Sequence, residues 1–300
     1  MNLSFFKPKY WPTWMLLGLM RLIVLLPYRW QMTFGRWLGR VSYPFIKRRK
    51  NITKINLRVA FPDKTDNQIE SLCKQSFESA GMAAMETAIA WFMSKRRFAK
   101  IPIKISNLDA FEKAFYNPDQ GAIFLGCHFT CLEIVGRYIG ENYQPFSLIY
   151  QRHKNPVFEY IMTRSRQSYM SQCIKRKSMR QVVKLLKQKQ SLWYAPDQDF
   201  GLQHSAFVSF LGHPCATLTV TPWLVKKTQA QVIPVYYGRE GNGYHIKFGQ
   251  AWQDYPSDDV IQDARRYNAF IEQAIQDYPA QYLWQHRRFK TRPEGQEKWY

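Results

Sequence analysis

Residues 121–133 read Gly-Ala-Ile-Phe-Leu-Gly-Cys-His-Phe-Thr-Cys-Leu-Glu, and this stretch decides how the rest of the chain is interpreted. The apolar run ending at Gly126 has the length of a buried strand, and a helical pattern starts near Glu133. His128 therefore stands in the turn between a strand and a helix, where open α/β sheets commonly build their sites. Residues five apart on one straight helix point away from each other, so His128 and Glu133 can touch only if the histidine folds back over the helix. The stretch predicts a histidine base that is oriented by a carboxylate.

Short β-like runs alternate with amphipathic patterns after residue 100. This alternation predicts an α/β fold with a central, mostly parallel mixed sheet flanked by helices. The expected strands are residues 103–106, 122–125, 146–150, 191–195, 231–237 and 244–248. Before them, residues 28–60 have a helical pattern with Gly35 and Gly39 as interruptions. Thr65 and Gln68 have the spacing of a capping box, which predicts a helix from there to about Phe92.

Composition limits the class of protein. With 300 residues and 46% hydrophobic content, the chain can bury a large core, and its length favours one domain with an added segment. The 43 Lys and Arg against 22 Asp and Glu give a net charge of +21, which indicates phosphates, an anionic membrane surface or an acidic partner protein. The ten Trp residues are typical of a membrane-interface protein, with nucleic acid as the rival partner. The five Cys residues have no framework spacing, which indicates reduced thiols in the cytosol.

The N-terminal segment is the candidate for membrane attachment. Residues 14–26 are apolar except for Arg21, and no small-residue cleavage site follows. Because the segment is shorter than the roughly 20 residues that span a bilayer comfortably, a short anchor and a half-inserted helix both remain open, beside a buried core helix. The basic cluster at residues 47–50 would keep the following domain on the cytoplasmic side. We therefore expect an anchor helix over residues 1–27 and a catalytic domain over 28–300, comprising a helical lead-in to residue 100 and an α/β core from 101.

A strongly basic segment lies between residues 160 and 195, which contain no carboxylate before Ala195. Such a surface of one sign attracts a polyanion, whereas a solvated helix face usually mixes both signs. Its bases are Arg164, Arg166, Lys175, Arg176, Lys177, Arg180, Lys184, Lys187 and Lys189.

Other kinds of chemistry have little support. Cys127 and Cys131 flank His128, but no second Cys/His pair has zinc spacing, and as small apolar residues they are expected to pack the strand end rather than serve as a nucleophile. No metal and no cofactor are predicted. The chain also lacks a Gly-x-Ser-x-Gly elbow, a phosphate-binding Gly-x-x-x-x-Gly-Lys-Ser/Thr loop, a Gly-x-Gly-x-x-Gly turn and a His-Glu-x-x-His helix.

A histidine followed after four residues by Glu resembles the active-site motif of the late acyltransferases of bacterial lipid A biosynthesis. Further blocks resemble that family in the same order along nearly the whole chain, and the tail most resembles the lauroyl-type branch. The blocks are Trp11-Pro12-Thr13-Trp14, Phe77-Glu78-Ser79, Met85-Glu86-Thr87, Thr163-Arg164, Trp193-Tyr194-Ala195-Pro196-Asp197 and the run from His286 to Gly295.

The resemblance implies an inner-membrane enzyme that moves a lauroyl-like chain from acyl carrier protein to a hydroxyl of a phosphorylated, Kdo-linked tetraacyl lipid A precursor, in lipopolysaccharide or lipooligosaccharide biosynthesis. It implies a base at His128 oriented by Glu133, and direct attack by the acceptor without an acyl-enzyme. Substrate contacts are expected from Arg164, Asp197, His286, Arg287 and Arg288.

Two other functions remain as alternatives. The same His/Glu pair is compatible with a phospholipid or other glycolipid acyltransferase. A non-catalytic basic protein that binds membrane or nucleic acid is the second alternative. The sequence contains no nucleic-acid-binding motif, and nucleic acid is not expected as a partner.

Overall fold

The structure is a computed structural model and describes residues 3–300. Helices fill the first third of the chain. Two 3-10 turns at Leu3–Phe6 and Pro8–Tyr10 lead into α1 (Trp11–Ile23), α2 (Tyr28–Ser42), α3 (Lys47–Ala60), α4 (Asp66–Phe92) and the single turn α5 (Lys95–Phe98). The capping box is confirmed, because the Thr65 hydroxyl accepts from the N–H of Gln68 while the Gln68 side chain accepts from the N–H of Thr65. Helix α4 ends at Phe92, as predicted.

Strands and helices alternate through the remaining two thirds, which confirms the predicted α/β class. The elements in order are β1 (Ile103–Ser106), α6 (Leu108–Phe115), β2 (Ala122–Leu125), α7 (Leu132–Asn142), β3 (Phe146–Tyr150), α8 (Pro156–Arg166), β4 (Gln172–Lys175), α9 (Met179–Lys187), β5 (Ser191–Tyr194), β6 (Ser205–Phe210), β7 (His213–Leu218), α10 (Val220–Thr228), β8 (Gln231–Glu240), β9 (Gly243–Phe248) and α11 (Val260–Asp277).

The central sheet has seven strands in the order β1-β9-β8-β2-β5-β3-β4, and β6 with β7 forms a separate antiparallel hairpin. Among the described strands of the large sheet, only β8 and β9 pair in antiparallel fashion; the other neighbours are parallel. Strand β2 lies in the middle of this sheet and is buried along its whole length. Buried parallel strands are covered by helices on both faces, which explains why β2 is a continuous apolar run rather than an alternating one.

Helices α2 and α4 pack backbone against backbone. The two predicted interruptions at Gly35 and Gly39 are wrong, because both glycines lie inside α2 and are buried. A Cβ on Gly39 would lie 2.2 Å from the carbonyl oxygen of Phe77, and one on Gly81 would lie 2.1 Å from that of Gly35. The glycines are present because the helices approach too closely for a side chain, and not because the helix breaks.

The anchor helix expected over residues 1–27 is not supported as a membrane-spanning helix. Within residues 3–300 no helix has both the length and the apolar character to cross a membrane. Helix α1 has 13 residues, so it is about 20 Å long, against roughly 30 Å of bilayer hydrocarbon. It ends where Arg97 donates to the carbonyls of Val24 and Leu26, both at 2.6 Å. Residues 1 and 2 of the expected anchor lie outside the described residues, and the division at residue 27 stays a prediction.

Gly39→Ala tests the contact between α2 and α4. Its methyl group must displace backbone atoms, so we expect a loss of about 1–3 kcal/mol in the free energy of unfolding. Gly18→Ala in α1 is the matched control, because its Cβ would meet no atom within 4 Å. Alanine should stabilise that helix by roughly 0.5–1 kcal/mol. Thermal unfolding in detergent measures both, and equal melting temperatures for the two variants would contradict the packing described here.

Candidate active site

Two neighbouring strands place the polar side chains of the site. Strands β2 and β5 are parallel, with Leu125 opposite Tyr194. His128 comes three residues after Leu125, and Asp197 comes three residues after Tyr194. Because parallel strands end at the same edge of a sheet, these two residues meet there.

Asp197 holds His128 through two hydrogen bonds. Its Oδ1 lies 2.5 Å from the imidazole Nδ1, and its Oδ2 accepts from the backbone N–H of His128 at 2.7 Å. A carboxylate can only accept here, so the Nδ1 of a neutral His128 carries the proton and Nε2 is left as the base. Asp197 is 1% exposed, whereas the His128 side chain is 27% exposed and lines a groove. The pair therefore joins a buried carboxylate to an accessible base.

Electrostatics favours the ion-pair form of these two residues. Burial lowers the pKa of His128, but the charge and hydrogen bond of Asp197 raise it by more, so the pKa lies above its usual value. Burial would raise the pKa of Asp197, but the charge and hydrogen bonds of His128, with a weaker effect from Arg288, bring it below its usual value. Asp197 is therefore ionised near neutral pH and stabilises the imidazolium that forms when His128 accepts a proton.

Glu133 has a different partner from the one expected. Its carboxylate forms an ion pair with Arg166 and accepts from the indole of Trp91 at 3.2 Å. Within residues 3–300 there is no hydrogen bond between the side chains of His128 and Glu133. Asp197, and not Glu133, accepts the hydrogen bond from Nδ1 of His128. The reason is that Glu133 lies in the first turn of α7, facing α4 and α8. Arg166 nevertheless lies close enough to lower the pKa of His128, after the larger effects of burial and Asp197.

The backbone of the His128 loop is fixed from several directions. The carbonyl of Gly126 accepts from the hydroxyl of Tyr267 at 3.0 Å, and that of Cys127 accepts from the hydroxyl of Tyr237. The carbonyl of His128 accepts from the N–H of Leu283 at 3.0 Å. Three successive carbonyls therefore have partners on three other parts of the chain, which holds the base in place before substrate binds.

The base opens into a groove of about 550 Å³, within the usual range for ligand pockets. One part is apolar, with Ile149, Trp193 and Leu218, and another carries the cations Arg176 and Lys177. The Arg176 guanidinium lies over the ring of Phe200 at 4.2 Å. Apolar walls beside cations suit a substrate that has both a hydrocarbon chain and an anionic group.

The other predicted substrate contacts are dispersed. Arg164 is exposed and donates to the hydroxyl of Tyr160 at 2.7 Å. Arg288 is 2% exposed and donates to the carbonyl of Ala216 and the hydroxyl of Thr217. These contacts favour a structural role for Arg288, whose charge also helps to lower the pKa of Asp197. Direct contact of either arginine with substrate stays a prediction.

His286 and Arg287 are also bound within the fold. The Nε2 of His286 accepts from the N–H of Asp199 at 3.1 Å. Burial lowers the pKa of His286 to about 4, so its ring is neutral at physiological pH. Arg287 donates to the carbonyl of Tyr300 and lies over that ring at 5.2 Å. Their contact with a phosphate or a carrier protein likewise stays a prediction.

A base held by a buried carboxylate, at the carboxyl edge of a parallel sheet and beside a groove for an amphipathic ligand, is suited to transfer of a group to a hydroxyl. The comparison with known proteins agrees. The family model described as bacterial lipid A biosynthesis acyltransferase matches residues 1–291, so the chain belongs to that family and is an acyltransferase.

Curated relatives match over nearly their full length. The Lipid A biosynthesis palmitoleoyltransferase of Escherichia coli (strain K12) is 36% identical over 300 residues, which cover 99% of this chain and 97% of that protein. The Lipid A biosynthesis lauroyltransferase of the same organism is 34% identical over 291 residues, or 96% and 94% of the two chains. The Lipid A biosynthesis acyltransferase of Haemophilus influenzae is 33% identical over 297 residues, or 97% and 94%. The predicted family is thereby confirmed.

Asp197→Asn tests the pairing at Nδ1. The base is active when neutral, so activity rises as the pH passes upward through the pKa of His128. Asparagine removes the charge that raises this pKa, and burial then dominates. We expect the rising limb of the pH–rate profile to move to lower pH and kcat to fall by about 10²–10⁴. A profile unchanged in position would contradict the pairing.

Proposed function

We propose that this acyltransferase moves a fatty acyl chain from the thioester of acyl carrier protein to a hydroxyl of a Kdo-linked tetraacyl lipid A precursor, within lipopolysaccharide or lipooligosaccharide biosynthesis. The observation that carries the proposal is the Nε2 of His128, left free by Asp197 and facing the groove. Family membership and the names of the relatives support the lipid A precursor as acceptor.

In the proposed reaction, Nε2 of His128 takes the proton of the acceptor hydroxyl while its oxygen attacks the thioester carbonyl carbon. The tetrahedral intermediate collapses, the C–S bond breaks, and the imidazolium returns the proton to the thiolate. Asp197 stabilises the imidazolium throughout. No covalent acyl-enzyme forms, so Cys127 and Cys131, both buried, keep a packing role.

Glu133 remains in the proposed catalytic set, but it acts through Arg166. The ion pair fixes the guanidinium of Arg166 near His128. The negative charge of Glu133 also offsets the positive charge of Arg166, which otherwise disfavours the imidazolium of His128. A guanidinium fixed near the base is also suited to stabilise negative charge on the thioester oxygen during attack. Glu133 is thus a positioning residue in this mechanism.

The basic groups provide sites for two anionic substrates. Arg176 and Lys177 in the groove suit the phosphates of the acceptor. The exposed lysines that follow them on α9 suit an acidic carrier protein that brings the acyl chain to the groove. The lauroyl chain stays a prediction, because relatives named for palmitoleoyl and lauroyl transfer have similar identities of 36% and 34%.

We further propose attachment to the cytoplasmic face of the inner membrane through the N-terminal helices. Of the 21 large apolar side chains that the described residues expose, 16 lie between Leu3 and Ile46. Such a concentration of exposed apolar side chains in the N-terminal helices marks an interaction surface. Trp30 and Trp37 on α2 are 68% and 53% exposed, as expected of aromatic residues at a membrane interface.

His128→Ala should lower the rate of acyl transfer by about 10²–10⁴, because a positioned base is lost. The assay incubates the enzyme with acyl carrier protein thioesters and the tetraacyl precursor, and the products are weighed by mass spectrometry. Wild-type turnover in this variant, with circular dichroism unchanged, would remove the assigned base. Transfer to phospholipid but not to the precursor would favour the alternative acceptor.

The variant Trp30→Ser/Trp37→Ser tests the membrane face. Each indole buries a large apolar area on insertion, so partition onto vesicles of phosphatidylcholine should fall at least about tenfold. Trp223→Ser on α10 is the control, because Trp223 is 50% exposed and lies outside the N-terminal helices. Equal effects of the two changes, or release of the wild-type protein by high salt alone, would contradict an inserted face.

A further inference from the structure

A second polar cavity lies on the side of β2 away from the groove. It has a volume of about 480 Å³ and is bounded by α2, the middle of α4 and the turn between β8 and β9. The residues around it share no member with those around the His128 groove. It is therefore separate from the site where acyl transfer is proposed.

Cations outnumber anions at this cavity. Its charged lining residues are Arg29, Arg36, Glu78 and Arg239. Arg40 donates to Glu78 at 2.6 Å, whereas Arg36 lies 3.9 Å from it. The side chain of Arg29 makes no ion pair or hydrogen bond within residues 3–300. Two exposed guanidinium groups at the mouth are thus available to an anion.

The wall of the cavity adds no further unpaired charge, and two exposed side-chain amides add hydrogen-bond donors. Arg239 is neutralised by the fully buried Glu86, at 2.5 and 2.6 Å. Its other N–H groups donate to Ser79 and Thr130, so it supports the wall of the cavity and is not itself free to bind a ligand. Side-chain amides of Gln75 and Asn242 line the same cavity. Guanidinium groups and neutral amides at the mouth match the oxygens of a phosphate group.

The position of the cavity on α2 indicates where the phosphate would come from. At about 100° per residue, Arg29, Arg36 and Arg40 lie within roughly 40° of one another on the helix. They border Trp30 and Trp37, the edge of the exposed apolar face. When that face enters the lipid, the arginines and the mouth of the cavity lie at the depth of the headgroups.

We propose that this cavity binds the phosphate of an anionic phospholipid headgroup, apart from the acyl acceptor, and so fixes the orientation of the enzyme on the membrane. The inference rests on the membrane face proposed above. Anionic headgroups attract basic residues at the surface with about 1 kcal/mol for each, and a fitted cavity adds hydrogen bonds to that attraction.

The test measures how much more strongly the protein sediments with vesicles containing phosphatidylglycerol than with vesicles of phosphatidylcholine alone. Arg29→Gln/Arg36→Gln should lower this ratio by about tenfold or more. Gln75→Trp, which fills the mouth from an exposed position without changing the charge, should lower it as well. Lys226→Gln/Lys227→Gln on α10 removes the same charge elsewhere and should leave the ratio within about twofold.

Four outcomes would overturn the inference. An equal fall in both charge variants, or an unchanged ratio in Gln75→Trp, would mean diffuse attraction instead of a site. If Arg29→Gln/Arg36→Gln raised the KM for the acceptor in neutral micelles but left the sedimentation ratio unchanged, the cavity would be assigned to the acyl acceptor. Release of the wild-type protein by micromolar glycerol 3-phosphate would indicate a soluble ligand. If the proposed membrane face were wrong, the wild-type protein would not bind vesicles of phosphatidylcholine alone. That result is distinct from a failure of the phosphate site, which changes only the ratio.

Discussion

The hydrogen bond between the buried carboxylate of Asp197 and Nδ1 of His128 is the interaction on which the site depends. It fixes the tautomer, leaves Nε2 for the substrate and stabilises the charge that appears on the ring during proton transfer. The second carboxylate oxygen binds the backbone N–H of the same histidine, so ring and backbone are oriented together. A carboxylate 1% exposed is not screened by solvent, which makes the interaction strong enough to raise the pKa of His128 despite burial.

This pairing is a consequence of sheet topology. Strands β2 and β5 are neighbours in space, although β3 and β4 lie between them in the chain. Their parallel register places His128 and Asp197, each three residues after its strand, at the same edge. Hydroxyl groups from β8 and α11 hold the carbonyls of the loop after β2. The buried pair of Glu86 and Arg239 supports the other side of that loop, because Arg239 also donates to the hydroxyl of Thr130 at 3.0 Å. Precise placement of the base thus comes from the core.

Local patterns predicted much of this fold. Strands β1, β2 and β3 have the predicted bounds, because apolar runs between turn residues are local signals. The short β4 and the hairpin β6–β7 have mixed polar and apolar residues and gave no such signal. Asp197 was predicted as a site residue with a different role, since only the three-dimensional neighbour relation of β2 and β5 brings it to His128. The choice between Arg164 and Arg166 likewise depends on the three-dimensional structure. The two arginines lie two residues apart on α8 and point in nearly opposite directions, and Arg166, which points inward, binds Glu133.

The central claim is that Asp197, and not Glu133, holds the Nδ1 proton of His128. Nitrogen-edited proton NMR of histidine-labelled protein observes that proton directly, with His128→Ala to assign the signal. A strongly hydrogen-bonded Nδ1 proton that persists in Glu133→Gln and disappears in Asp197→Asn is the predicted result. Loss of the signal in Glu133→Gln, with its retention in Asp197→Asn, would contradict the account.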